Sequence, residues 1–319
     1  LWVAEQFSAG NGAYGMPLAL RLRGEVSVPL LMESLKCVVQ RHEVLRTAYV
    51  ADDDGDPLAV IAPDVTVDFA LVDLSHMDRI EQEAQVAQAT LDNTRRPINL
   101  AQAPLFRGQI LRLGAHEHVL LYSMHHIISD GWSMAVLVVE LVQHYAALKQ
   151  GRGIDLPPLP VQYSDYAQWQ LELEQTGVLQ QQAGYWKDAL AGHPGQLLLP
   201  TDFARPPMPS FEGSSESFSV PPALGEALKS LSARQGVTPY TTLLAAFQVL
   251  LHRLAASDDL LVGADVAGRQ HAELEGLISS SISCPCVRAS TPRRGSAISS
   301  LLPVKPRLRP SSTRTCPWT

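Results

Sequence analysis

The stretch that most constrains this chain is Leu120 to Val142, LLYSMHHIISDGWSMAVLVVELV, where an apolar run gives way within a few residues to a helical pattern. Val119 to Met124 is rich enough in β-branched and aromatic residues to read as a buried strand. The chain then turns at Ser129-Asp130-Gly131. From Met134 the apolar positions Leu137, Val138, Leu141, Val142, Tyr145 and Leu148 recur at helical spacing. Ser129 or Asp130 is the expected N-cap.

Two adjacent histidines, His125 and His126, therefore fall where a strand ends and a helix is about to begin. Such rims are where side chains reach a cleft instead of the core. Neighbours on a strand point to opposite faces, so the two rings are not expected to serve one site together: one looks into a cavity and the other is held in the scaffold. That divergence argues against a metal site, whose ligands must converge. A purely structural pair of strand-end histidines is the competing reading.

The spelling MHHIISDGWS, Met124 to Ser133, resembles the central motif of the condensation domains of non-ribosomal peptide synthetases, members of the chloramphenicol-acetyltransferase-like acyltransferases. RHEVLRTAY, Arg41 to Tyr49, resembles the family's second core motif, and YSDYAQWQ, Tyr163 to Gln170, its fourth. The LPTD at Leu199 to Asp202, the helix around Thr242 to Arg253 and the segment Asp259 to Glu275 are similar to the second half of such a domain. The resemblance runs from Leu1 to about Leu277. It implies an α/β fold of two-layer α+β type, a bilobal pseudo-dimer with lobes at 1–160 and 161–277, the second incomplete.

By the same resemblance His126 faces the channel and is the catalytic group, His125 supports it, Asp130 holds the loop and Gly131 permits a tight turn. The arginines of RHEVLR lie against the histidine motif in the family, so Arg46 is expected to pair with Asp130, with Arg41 as the second choice. The reaction implied is peptide-bond formation between a carrier-bound aminoacyl or peptidyl donor and a carrier-bound amino acid, L to L. No cofactor is expected to bind covalently; substrates arrive on the 4′-phosphopantetheine of donor and acceptor peptidyl carrier domains, beside an adenylation domain. An epimerisation domain, a coenzyme A-dependent acyltransferase and a non-catalytic docking fragment are the alternatives.

Composition narrows the partners. The formal charge of −7 comes with no basic patch in the first 270 residues, which speaks against nucleic acid. No apolar run reaches bilayer-spanning length and Leu1 opens on folded-looking sequence, so neither membrane anchor nor signal peptide is expected, and the location reads as cytoplasmic. The opening LWVAEQF enters in mid-motif and is expected to be a truncation. Cys37, on a helix, is expected to be an inert buried thiol.

Residues 278–319 differ in character. After Glu275 there is no acidic residue, while arginines accumulate among serines and prolines. Codons can be chosen for Ile278 to Val287 whose shifted frame reads FFVNQLPVR, and for Ser311 to Trp318 whose shifted frame reads VHQDLPL, both family motifs. The tail is therefore expected to be an out-of-frame, disordered translation product, and Cys284, Cys286 and Cys316 are not expected to be zinc ligands.

Overall fold

The computed structural model describes residues 1–7, 12–67, 69–153, 156–193, 195–207, 213–214, 216–264, 269 and 271–278, and the backbone of 286–290. Two units emerge among the described residues: 1–172 with 269–278, and 173–264 with 286–290. The division in the chain thus falls at Glu172/Leu173 and not at 160/161, and a later segment returns to the first unit.

The first unit contains α1 (Trp2–Phe7), β1 (Gly15–Arg23), α2 (Val28–Arg41), β2 (Thr47–Ala51), β3 (Pro57–Ile61), β4 (Ala70–Asp73), α3 (Arg79–Arg95), β5 (Phe106–Gly114), β6 (Glu117–His125), α4 (Gly131–Lys149) and most of α5 (Tyr163–Gln175). Four strands form a sheet in the order β1-β6-β5-β4. β5 and β6 make an antiparallel hairpin, and β1 flanks β6 with Gly15 opposite His125. β4 runs parallel to β5, a pairing that needs a crossover, and α3 supplies it. α3 starts cleanly because Asp78 and Glu81 form a capping box.

β6 explains the layering. Leu120, Tyr122 and Met124 pack into the main core with α2 and α4, while Val119 and Leu121 belong to a second cluster with Val86 and Ala89 of α3. Apolar residues at consecutive positions mean that the strand is covered on both faces. The first unit therefore carries helices on both sides of its sheet, the mixed α/β arrangement expected from the sequence. α4 is long and apolar enough to cross a membrane by length and composition. In this fold its Leu137 and Leu141 enter the core and Glu140 and His144 are buried beside them.

The second unit holds α6 (Val178–Ala189), α7 (Pro222–Arg234), α8 (Pro239–Ala255), β7 (Asp259–Gly263) and β8 (Cys286–Ser290). β7 and β8 pair antiparallel. Glu216 to Val220 is exposed, and α8 leaves a row of large apolar side chains in solvent. Two parts of the expected disordered tail are structured: Ile278 is fully buried in the main core and Cys286–Ser290 is a strand, since backbone pairing asks little of side-chain identity. Cys284, Cys316 and the remaining tail expectations lie outside the described residues.

Candidate functional site

The loop from β6 to α4 is held by its own backbone. His125 N donates to Leu105 O at 2.9 Å and His126 N to Tyr14 O at 2.8 Å. Asp130, in extended conformation, is the N-cap of α4: its Oδ1 accepts from Ser133 N at 2.8 Å and from Ser133 Oγ at 2.6 Å. A strand end and a helix start, each anchored, leave little slack in the residues between them.

The two histidines have different environments. His125 is 2% exposed, and its Nδ1 accepts a hydrogen bond from Ile127 N at 3.0 Å. In the neutral ring that acceptor role places the proton on Nε2, which lies 3.5 Å from Glu5 Oε2. Burial first, and the neighbouring His126 second, push the His125 pKa down to about 4. His126 is half-buried, with Nδ1 enclosed and without a partner among the described residues.

Asp130 pairs with Arg269, not with Arg46. Arg269 Nη1 donates to Asp130 Oδ2 at 3.0 Å and Nη2 to Oδ1 at 3.2 Å, and Nη2 also reaches Ser133 Oγ at 3.0 Å and Leu277 O at 3.1 Å. The guanidinium lies 5.6 Å from the Trp132 ring centre, and Trp132 Nε1 donates to Glu275 O at 2.8 Å. Arg46 instead donates to the carbonyls of Ala62, Pro63 and Gln40. It closes a 3-10 turn, Glu43–Arg46, directly before β2, so its reach is spent on the chain leaving β3. Arg41 binds Glu140 Oε1 at 3.1 Å, and His42 Nε2 meets Glu140 Oε2 at 2.8 Å.

Gly131 does not serve a left-handed turn. It is the first residue of α4, outside the positive-φ glycines, and a Cβ there would touch nothing within 4 Å. The turn is made by the extended Asp130 cap. Cys37 is half-buried, and burial raises its thiol pKa, as suits an unreactive side chain. Arg269 is silent in the sequence because it stands alone; the segment Asp259 to Glu275 that contains it is the available signal.

A sheet flanked by helices thus carries a histidine at a strand end beside a capping aspartate clamped by arginine. The model of the condensation domain family matches residues 1–291, and the chain belongs to that family. A linear gramicidin synthase polypeptide of Brevibacillus parabrevis is 41% identical over 278 residues, 87% of this chain and 4% of its own length. Phosphinothricin tripeptide synthetase PhsC of Streptomyces viridochromogenes is 35% identical over 87% of this chain and 26% of its own length. The first condensation domain of the CDA synthetase shares the fold at a TM-score of 0.79 and 21% identity, over 94% of this chain and 70% of that one. The X-domain from teicoplanin biosynthesis aligns at a TM-score of 0.79 and 26% identity, over 90% of this chain and 63% of that one. The chain thus spans a small part of the synthetases and 63% to 70% of these solved domains.

Proposed function

We propose that this chain is the part of a non-ribosomal peptide synthetase that joins a carrier-bound aminoacyl or peptidyl thioester to the amine of a carrier-bound amino acid. The acceptor nitrogen attacks the thioester carbonyl; a C–N bond forms, the C–S bond breaks, and the donor carrier leaves as its thiol. The nitrogen must lose a proton along the way. An imidazole at a half-buried position suits that step, as acceptor or as the group that orients the amine. His126 has this role in our reading. His125 holds the loop with a ring kept neutral by burial, and Asp130 fixes the loop through the α4 cap and Arg269.

The observation that carries the reading is the half-buried His126 at the end of β6 within the condensation fold. The stretches ISDGWS and LPTD resemble members that join an L-configured donor to an L-acceptor, and His125 stands where cyclising members carry aspartate. Both substrates would come on the 4′-phosphopantetheine arms of peptidyl carrier domains, the amino acids having been loaded by an adenylation domain.

The test is single-turnover dipeptide formation from an L-aminoacyl donor carrier and an L-aminoacyl acceptor carrier, followed by mass spectrometry of the acceptor arm. Dipeptide from wild type and none from His126→Ala supports the reading. Deuterium incorporation at Cα with one aminoacyl carrier alone would assign an epimerisation domain. Amide formation from a soluble acyl-coenzyme A would assign a free-standing acyltransferase.

A further inference from the structure

The peptide units on either side of His126 are tied down in different ways. Before it, His126 N donates to Tyr14 O at 2.8 Å and His125 N to Leu105 O at 2.9 Å, both backbone to backbone. After it, Ile127 N donates to a side chain, His125 Nδ1, at 3.0 Å. The peptide leaving His126 is therefore held by an imidazole, and that hold lasts only while Nδ1 keeps its lone pair. The proton of the His125 ring decides it.

A neutral imidazole that accepts at Nδ1 carries its proton at Nε2. That nitrogen is buried and has no hydrogen-bond partner among the described residues, and the ion-pairing atom that faces it is Glu5 Oε2, at 3.5 Å. Glu5 is itself only 9% exposed and His125 only 2%. Moving the proton to Nδ1 would turn a lone pair toward the Glu5 carboxylate and an N–H toward the Ile127 N–H. Both neighbours oppose that tautomer, and in so enclosed a place neither repulsion is well screened.

We propose that Glu5 is a positioning residue for the reaction assigned to His126: its carboxylate holds the Nε2 proton of His125, keeps Nδ1 open to the Ile127 amide, and so fixes the peptide that carries the His126 ring. The catalytic consequence rests on the function proposed above, whereas the link from Glu5 to His125 rests on geometry alone. Glu5 acts through His125 and not on the reacting atoms. The acid in the opening LWVAEQF thereby acquires a task at the histidine motif.

The test uses the full 319-residue chain carrying isotope-labelled histidine, whose ring nitrogens report their protonation by NMR, with amide exchange followed at Ile127. In wild type His125 should show a protonated Nε2 and a bare Nδ1. Glu5→Met keeps the volume and removes the acceptor. It should move the proton toward Nδ1, speed Ile127 exchange at least about tenfold, and lower kcat for dipeptide formation by about 10–100-fold with KM for the acceptor carrier unchanged. Glu5→Gln retains an acceptor oxygen and should restore the tautomer and most of the rate. Glu5→Asp withdraws the carboxylate by one methylene and should shift the tautomer in the same direction, so a methionine variant that fails to fold cannot shield the idea. A carboxylate that served only the first turn of α1 would leave the ring nitrogens alone. Wild-type nitrogen signals and Ile127 exchange in Glu5→Met therefore overturn the proposal, and so does a displaced proton with kcat unchanged. Wild type that forms no dipeptide instead overturns the function proposed above, and the tautomer and exchange comparison still decides the link from Glu5 to His125.

Discussion

Arg269 grips both carboxylate oxygens of Asp130 across 139 positions of chain, at 3.0 Å and 3.2 Å, with only 4% and 10% of the two side chains exposed. The same carboxylate caps α4, so one residue fixes both the helix that follows the histidines and the returning segment that carries Arg269 and Leu277. Arg269→Ala leaves a buried carboxylate without its cation and is expected to cost about 3–5 kcal/mol. Asp130→Asn/Arg269→Met removes both charges and should recover much of that loss. Urea denaturation of the single and double variants measures it; a double variant no more stable than Arg269→Ala would mean that the charge pair is not what holds the segment.

His125 gives the fold an acid limb. Its folded pKa of about 4 lies below the unfolded value near 6.5. Between those values the unfolded chain binds the extra proton, so stability rises with pH through the window and is lost as pH falls from about 6.5 toward 4. The contribution is of the order of 3 kcal/mol. Burial also lowers the His118 and His144 pKa values, so other groups contribute to the same limb. His125→Asn keeps an oxygen where Nδ1 accepts from Ile127 N and removes the titration. Denaturation midpoints from pH 4 to 7 should show a shallower slope in the variant; an unchanged slope would refute the assignment.

Gly108, in the middle of β5, is a packing glycine. A Cβ there would sit 2.0 Å from Cε2 and 2.3 Å from Cζ of Phe69, and that ring is buried against Phe106 and Tyr122. Gly108→Ala must displace the ring from an aromatic cluster, at an expected cost of about 1–3 kcal/mol. Phe69→Leu makes room, so the double variant should lose less than the sum of the singles. Thermal melts of the four proteins decide it, and strict additivity would count against the clash.

What the sequence makes legible follows period and chemistry. Val119 to Met124, the α4 pattern and the Asp130 cap each depend on residues within one turn or strand of each other, and local physics places them. Arg46 is a plausible but wrong partner because any arginine near a buried aspartate satisfies the same electrostatic need; only the tertiary path favours Arg269. Gly108 gives no signal, since a strand glycine looks the same whether or not a ring lies over it.

His126 separates function from stability. The ring is half-buried, and its enclosed Nδ1 satisfies nothing among the described residues. Truncation therefore removes few favourable contacts, and His126→Ala should change unfolding free energy by less than about 1 kcal/mol. If the ring takes or directs the acceptor's proton, the same change should slow dipeptide formation by about 10²–10⁴-fold. Both readouts belong on one preparation: urea melts for stability, and single-turnover transfer between two loaded carriers for rate. His126→Ala as fast as wild type would remove the imidazole from the chemistry. A slow variant that has also lost several kcal/mol would show a structural histidine instead, leaving Asp130 and Arg269 as scaffold around a site still to be found.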